Sequence, residues 1–164
     1  MGYKLNLKKP KSYNEKINWI KLKYYNPLYE KCSDKIYVRD YVKVKGLENI
    51  LTKLYGVYDS LDEVNLKNIP QKCVIKTTHS SGGVYVVTDK DKINKEKLQE
   101  VINNSLNTNL YDRDFEWQYK NLKPRIMIEE LIETQNSELT DYKFFCFDGK
   151  VRYVYVAIRN NFRC

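Results

Sequence analysis

Residues 73–88, CVIKTTHSSGGVYVVT, decide the fold of this chain. Two short apolar runs, CVI at 73–75 and VYVV at 84–87, flank a polar loop with two glycines, which predicts two strands joined by that loop. Lys76 lies at the end of the first strand, and successive glycines let a backbone approach a ligand closely. Backbone N–H groups in such loops bind anions, so this stretch predicts a polyphosphate site. A surface hairpin with a glycine bulge and an incidental lysine is the alternative.

The loop contains several hydrogen-bonding groups besides its backbone. Ser80 and Ser81 offer hydroxyl donors, and Gly82 and Gly83 follow them. The residue order is not that of a P-loop, which also joins a strand to a helix, and the dinucleotide-binding fingerprint does not occur here either. His79 is the chain's one histidine, and it has no acidic or nucleophilic neighbour in the local sequence. This favours a hydrogen bond that stabilises the loop over a general-base role.

The composition is that of a basic globular chain. Hydrophobic residues make up 42% of its 164 residues and charged residues 30%, and the net charge is +8, which favours anionic partners. The four cysteines form no CxxC pair, which disfavours a structural zinc site and favours a reducing compartment. The sequence begins with no apolar run typical of a secretory signal or a spanning helix. We expect a cytoplasmic protein, and peripheral association with the inner face of the membrane stays open.

Local signals predict a mixture of helices and strands around the loop. Ser12 and Glu15 have capping-box spacing, and Asn26-Pro27 is expected to end the helix that they begin. Asp148-Gly149 is a strong hairpin-turn signal. The sequence predicts helices at 12–25, 34–45 and 94–106, and strands at 50–58, 125–131, 142–147 and 150–158. This order of elements indicates an α+β or α/β fold.

Six separated blocks of the chain carry a wider pattern. They are KSYNEKINWIKL (11–22), NPLYEKCSDKIYVRDYV (26–42), LYGVYDSLDEV (54–64), CVIKTTHSSGG (73–83), EWQYKNLKPRIMIEELI (116–132) and DYKFFCFDGKVRYV (141–154). In this order and spacing they resemble the TupA-like ATP-grasp family, from about residue 11 to about residue 158. That family is associated with bacterial cell-envelope polysaccharide biosynthesis, including teichuronic acid, and its members are often labelled glycosyltransferases.

The resemblance implies an α+β fold that clamps ATP between two small lobes of mixed or antiparallel sheet with helices. It divides the chain into an N-terminal lobe at 1–70, a glycine-loop subdomain at 71–132 and the start of a C-terminal lobe at 133–164. ATP-grasp proteins take their magnesium ligands from acidic residues on late strands, and no Asp or Glu follows Lys150 here. We therefore expect a truncated member, without its magnesium ligands, whose site a C-terminal polypeptide would complete.

The resemblance also implies which residues contact the phosphates of ATP. Lys76 and the loop at 80–83, with Ser80, Ser81, Gly82 and Gly83, match the family's phosphate-binding lysine and its closing loop. An earlier basic residue, after an aspartate at a helix start, commonly reaches the phosphates too. Lys35 after Asp34 matches it best, with Arg39 one helical turn on.

A second set of residues matches the part of the family site beside the adenine. The strand IMIEEL matches the hinge, where the backbone from Glu130 to Ile132 would read the base edge. Glu129 or Glu130 would reach the base or ribose, and only one of the two can face inward on a strand. Asp141 and Lys143 match a DYK block, and Lys143 is included among the ATP-binding residues. The implied ligands are ATP with magnesium and a glycan or sugar acceptor.

Three functions are compatible with the sequence. The first is an ATP-grasp protein of polysaccharide biosynthesis, with no catalytic residue assigned. The second is a non-catalytic nucleotide- or partner-binding remnant, which the lack of late carboxylates favours. The third is a nucleic-acid-binding module, which the charge and the 15 tyrosines would favour. Most tyrosines lie at helix-face or strand positions, where packing explains them better, so we expect no nucleic-acid partner.

Overall fold

The computed structural model describes residues 3–133 and 138–160, and these contain five α-helices and six β-strands. The helices are α1 (Tyr13–Lys23), α2 (Pro27–Ser33), α3 (Tyr37–Val44), α4 (Lys95–Leu106) and α5 (Leu110–Asp114). The strands are β1 (Leu54–Tyr58), β2 (Cys73–Thr77), β3 (Val84–Val87), β4 (Ile126–Glu129), β5 (Glu138–Phe147) and β6 (Lys150–Asn160). Short 3₁₀ turns occur at 48–50, 61–63, 90–92 and 117–119.

Four strands form the main sheet in the order β1-β4-β2-β3, and all neighbours are antiparallel. The predicted hairpin of the loop is confirmed, since β2 and β3 pair with Lys76 opposite Val84. On its other side β2 pairs with β4, which places Lys76 opposite Met127. These pairings confirm the predicted α+β class with antiparallel sheets. The three-part division of the chain stays a prediction, and β1 pairs with β4 across its first boundary.

Helix α4 covers one face of this sheet and forms the core with it. Cys73 and Ile75 alternate inward along β2 and pack with Leu98 and Ile102 of α4. Burying an aliphatic side chain of this size contributes roughly 1.5–3 kcal/mol to stability. Asn94 caps α4, because its side chain accepts a hydrogen bond from the Lys97 N–H. The alternate residues of β2, which include Lys76, therefore face the opposite side of the sheet.

The N-terminal helices differ from the prediction in their boundaries. The capping box of Ser12 and Glu15 is present and begins α1, as predicted. The helix predicted over 34–45 is present as α3, although it begins three residues later, at Tyr37; the separate helix α2, which ends at Ser33, was not predicted. Asn26-Pro27 does follow the end of α1, and it also begins α2: Asn26 accepts from the Leu28 N–H and Pro27 is the first helical residue.

The strands β5 and β6 form a separate two-stranded sheet, which confirms the predicted hairpin. Asp148 and Gly149 have φ values of 49° and 71°, as the tight turn between the strands requires. Adjacent residues such as Phe144 and Phe145 are both exposed, so neither face of this hairpin is covered by the described residues. Among the described helices, none is long and apolar enough to cross a membrane.

Candidate functional site

Lys76 lies on the face of the main sheet opposite the one that α4 covers, and its side chain is 20% exposed. Its ammonium group forms a short ion pair with Oε1 of Glu129, the last residue of β4. Glu129 is paired with Val74, two residues before Lys76 and on the same face of β2. The antiparallel register therefore places the lysine and the carboxylate on one face as diagonal neighbours.

Arg39 and Thr52 hold the other oxygen of the same carboxylate. The Thr52 hydroxyl donates to Glu129 Oε2 at 2.9 Å, and Arg39 Nη1 lies 3.9 Å from that oxygen. Arg39 Nη2 also donates to the Thr52 carbonyl oxygen. Arg39 extends from α3, so these contacts join the helical segment to the sheet. Both oxygens of Glu129 are thereby engaged.

Lys35 connects this group of charges to the glycine loop. Its ammonium donates to the carbonyl oxygens of Thr77 at 2.9 Å and Ser80 at 2.5 Å, and lies 3.5 Å from that of Thr78. Burial, and then repulsion by Lys76, lower the pKa of Lys35 to about 8, although Asp34 and Glu129 act against this shift. We call Lys35, Arg39, Lys76 and Glu129 the basic cluster. Its three cations and one carboxylate give it a formal charge of +2.

The loop after β2 is held by three hydroxyl groups. Thr77 Oγ1, Ser80 Oγ and Ser105 Oγ lie 2.7–2.8 Å from one another, and Ser80 Oγ also donates to the Gly82 carbonyl oxygen. The Thr77 N–H donates to the Gly83 carbonyl oxygen at 3.1 Å, which closes the loop at its base. These bonds fix the path of residues 78–83 against α4.

Gly83 is required by this packing as well as by its conformation. Its φ is +65°, and a Cβ atom placed there would lie 2.3 Å from both Cβ and Oγ of Ser105. Ser81 and Gly82 are exposed and free of such crowding. The loop thus has a fixed base at Ser80 and Gly83 and an open tip at Ser81 and Gly82.

A cleft of about 260 Å³ lies between this loop, α4 and α5. Ser80, Ser81, Gly82, Gly83, Asn104, Ser105, Thr108, Leu110 and Arg113 line it, with Val101. We call it the serine–glycine cleft. All four loop residues predicted to contact phosphates line this cleft, and Arg113 is the one cation among its lining residues.

Two further charged or titratable groups stabilise the region. Asp34 is fully buried, and its Oδ1 accepts from the N–H groups of Ile36 and Tyr37 at the start of α3. Its Oδ2 lies 3.5 Å from Nη2 of Arg125. His79 is buried, which lowers its pKa, and its Nε2 lies 3.2 Å from the Thr108 carbonyl oxygen. This contact agrees with the loop-stabilising interpretation of His79.

The remaining predicted site residues lie outside the basic cluster. Glu130 is exposed, and its N–H donates to the Lys53 carbonyl oxygen at 2.9 Å, while Glu129 faces inward, as the alternation of a strand predicts. The Ile132 side chain is exposed. Lys143 lies on β5 with its ammonium 6.0 Å from the Tyr155 ring centroid. The roles of these three residues in binding ATP stay predictions.

Sequence reasoning missed two side chains that the site depends on. Thr52 bridges Arg39 and Glu129, and Ser105 completes the hydroxyl triangle. Neither residue carries a local signal, because each acts on a residue far away in the chain. Asp34 was noted only as a marker for Lys35, and its burial under two N–H groups and Arg125 was not anticipated.

Magnesium does not fit the donors that the described residues supply here. Within residues 3–133 and 138–160, no group of three or more His, Cys, Asp or Glu side chains is placed to hold a metal ion. The one carboxylate in the basic cluster already binds two cations and a hydroxyl. A hard cation needs several free oxygen ligands, so we derive no step through magnesium.

Comparison with known proteins gives one finding that bears on this site. The chain matches the family described as TupA-like ATPgrasp over residues 15–162, which is most of its length. The matched region contains β1 to β6, the basic cluster and the loop. No curated protein and no solved structure gave a match.

Proposed function

The chain belongs to the TupA-like ATP-grasp family, and we propose that it binds the phosphates of ATP between its basic cluster and the loop at 80–83. The observation that carries this proposal is the convergence of Arg39 and Lys76 on one carboxylate, beside a glycine loop whose carbonyl oxygens hold Lys35. Three cations against one anion leave an excess of positive charge in the basic cluster. ATP, the ligand expected of an ATP-grasp family member, carries the negative charges that would match this excess.

The charges of the cluster suit a polyphosphate physically. Lys76 is fixed on a strand and Arg39 on a helix, so little reorganisation is needed when phosphate oxygens replace or share the Glu129 carboxylate. Charge-assisted hydrogen bonds to phosphate are stronger than those between neutral groups. Lys35 stays on the loop carbonyls and keeps the loop next to the cluster. In this proposal, Ser81 and Gly82 at the loop tip supply the remaining donors.

The adenine is proposed to lie beside the end of β4. The backbone from Glu130 to Ile132 would bind the base edge, as the family resemblance implies. In support, this segment directly follows Glu129, so a base there would be continuous with phosphates at the basic cluster. Glu130 and Lys53 already exchange backbone and side-chain hydrogen bonds at this point, which fixes the chain after the strand.

The acceptor is proposed to be a glycan or sugar of the bacterial cell surface. The six blocks that resemble the family support this assignment, together with the match over residues 15–162. ATP is a cytoplasmic metabolite, so the proposed activity is cytoplasmic.

Calorimetric titration of Mg-ATP tests the phosphate site. We expect Lys76→Met to weaken binding by about 10- to 150-fold, since a hydrogen bond to a charged group contributes about 1.5–3 kcal/mol. Lys72→Met is the matched control, because Lys72 also forms a lysine–glutamate ion pair, with Glu133, but at an exposed site. It should leave the affinity unchanged.

The lysine variant leaves Glu129 without its main partner, so the double variant Lys76→Met/Glu129→Gln accompanies it. Circular dichroism and thermal unfolding identify which variants are folded. A folded Lys76→Met or double variant that binds Mg-ATP as tightly as the wild type would overturn the assignment of Lys76.

A non-catalytic nucleotide-binding role is the second candidate. It is favoured by the engagement of both Glu129 oxygens, which leaves the cluster without a donor set for magnesium. Steady ATP turnover by the purified chain alone, lost in Lys76→Met, would contradict this candidate and favour the enzymatic one.

A further inference from the structure

A second cleft lies on the other side of α5 from the serine–glycine cleft. It has a volume of about 240 Å³ and is formed by the end of α1, by α5 and by the turn at 117–119. The residues that line it are Lys21, Leu22, Lys23, Tyr24, Tyr25, Tyr111, Phe115 and Trp117, and we call it the aromatic cleft. Five of these eight residues are aromatic.

The aromatic rings at this cleft pack against neighbouring rings and are also exposed to solvent. Tyr25 and Trp117 have ring centroids 4.6 Å apart and tilted by 46°, and Tyr29 stacks on Trp117 at 6.1 Å. Tyr25 is nevertheless 64% exposed. The rings are therefore held in place by their neighbours while a large part of their area stays accessible to a ligand.

Phe115 is the least expected residue of the cleft. It ends α5 with φ +54°, a left-handed conformation that glycine or asparagine usually adopts at this position, and its N–H donates to the Tyr111 carbonyl oxygen. Its side chain is 65% exposed, so burial in the core does not offset the strain of this backbone. A strained and exposed aromatic residue at the edge of a cleft indicates a contact made with a ligand.

The helix α5 forms one wall of both clefts. Leu110 and Arg113 line the serine–glycine cleft, and Tyr111 and Phe115 line the aromatic cleft. Because α5 lines both clefts, a molecule in the aromatic cleft would lie across this short helix from a molecule in the serine–glycine cleft. This places the two clefts as neighbouring subsites for two reactants.

We propose that the aromatic cleft is the acceptor subsite and takes an anionic pyranose, an inference that rests on the proposed function. The electron-rich faces of aromatic rings attract the partly positive C–H groups of a sugar ring. Aromatic clefts also take organic cations, but Lys21 and Lys23 line this one and disfavour a cation. Lys21 is held by the Asp114 carbonyl oxygen and by Glu116, so Lys23 is the residue assigned to the anionic group of the sugar.

Titration of the full chain with simple sugars at constant ionic strength tests the proposal. Saturation-transfer NMR and tryptophan fluorescence detect the binding. The probes are glucuronate and glucose 6-phosphate, which share an anionic pyranose, and methyl glucoside, which is neutral. We expect both anionic sugars to bind about two- to fivefold more tightly than methyl glucoside, because Lys23 is exposed. A preference between the two distinguishes a carboxylate from a phosphate ligand. Equal affinity for neutral and anionic sugars, or no binding of any of them, would overturn the proposal.

Two variants assign the binding to this cleft. Phe115→Gly removes the ring and relieves the left-handed backbone, so it should lower the sugar affinity about tenfold while raising the unfolding midpoint. Lys23→Gln should abolish the preference for anionic sugars, and Lys16→Gln, an exposed lysine on the same helix, should leave it unchanged. Retained affinity in a more stable Phe115→Gly variant would contradict the proposed contact.

The same variants separate this inference from the proposed ATP site. Phe115→Gly and Lys23→Gln should bind Mg-ATP as the wild type does, whereas Lys76→Met should still bind the anionic sugars. If the wild type binds Mg-ATP but binds none of the sugars, the acceptor subsite alone is refuted. Adenosine monophosphate that binds in the aromatic cleft, with affinity lost in Phe115→Gly, would also refute it, because the cleft would then be a base site.

Discussion

Substituting Gly83 by alanine probes the base of the loop at a single atom. The added Cβ would lie 2.3 Å from Cβ and Oγ of Ser105 and 2.8 Å from Oγ1 of Thr77. These atoms belong to the hydroxyl triangle that fixes the loop against α4, so they cannot move without breaking its hydrogen bonds. The substitution also forces a residue with a Cβ into φ +65°.

The expected loss of stability follows from these two effects. A left-handed residue other than glycine costs about 1–2 kcal/mol, and overpacking of a close-packed site costs about 1–3 kcal/mol. Alanine also restricts the unfolded chain, which returns about 0.4–1 kcal/mol. We therefore expect Gly83→Ala to lower the free energy of unfolding by roughly 1.5–4 kcal/mol.

Urea unfolding followed by circular dichroism measures this difference. With a slope of about 2 kcal/mol/M, the midpoint should fall by roughly 1–2 M. Gly82→Ala is the matched control, because a Cβ there meets nothing within 4 Å, and it should be neutral or slightly stabilising. In a Ser105→Gly background the two nearest crowding atoms are gone and only Thr77 Oγ1 remains, so Gly83→Ala should cost less there than in the wild type. Equal midpoints for Gly83→Ala and Gly82→Ala would refute the reasoning.

Three further predictions follow from the titratable groups. Binding of ATP at pH 8 should take up as much as about half a proton, because Lys35 with a pKa of about 8 is half protonated and phosphates favour its charged form. Calorimetry in buffers of different ionisation enthalpy measures this proton uptake. The Lys35→Arg variant should take up no proton. Glu15→Gln should destabilise the chain most above pH 4.5, with the difference shrinking towards pH 2, since three backbone N–H groups lower the Glu15 pKa to about 2; urea unfolding at several pH values checks it, and a constant difference would contradict it. A thiol reagent should modify exposed Cys146 in the folded chain and Cys73 only after unfolding, because burial raises the Cys73 pKa to about 11; mass spectrometry of the labelled peptides distinguishes the two, and rapid labelling of Cys73 in the folded chain would be evidence against its burial.

Local sequence signals predicted the elements whose ends depend on near neighbours. Ser12 and Asn94 cap their helices, and Asp148-Gly149 forms the hairpin turn, because each signal acts within a few residues. The helix α2 was not predicted, because Asn26-Pro27 indicates the end of the first helix, whereas it also begins another. A proline is compatible with either position, since only its fixed φ and its missing N–H are set by the sequence.

The site could be predicted in its cations but not in their partners. Lys76 was identified because it ends an apolar strand before a glycine loop, a pattern within ten residues. Its pairing with Glu129 depends on the register of β2 against β4, which are about fifty residues apart. Thr52, which lies just before β1, and Ser105, on α4, also contact site residues far away in the chain. Long-range register is set by the packing of the whole sheet, which a local pattern does not contain.

The pairing of β5 with β6 has a consequence for how the protein folds and unfolds. In the described residues this hairpin packs chiefly against itself, while the four-stranded sheet is closed by strands far apart in sequence. Contacts between adjacent strands form quickly, and those of the sheet form slowly. The hairpin amides should therefore exchange with solvent deuterium by a local opening of low free energy, and the β2 and β4 amides only by a larger one. A ligand bound to the sheet would slow the second exchange process and leave the first unchanged.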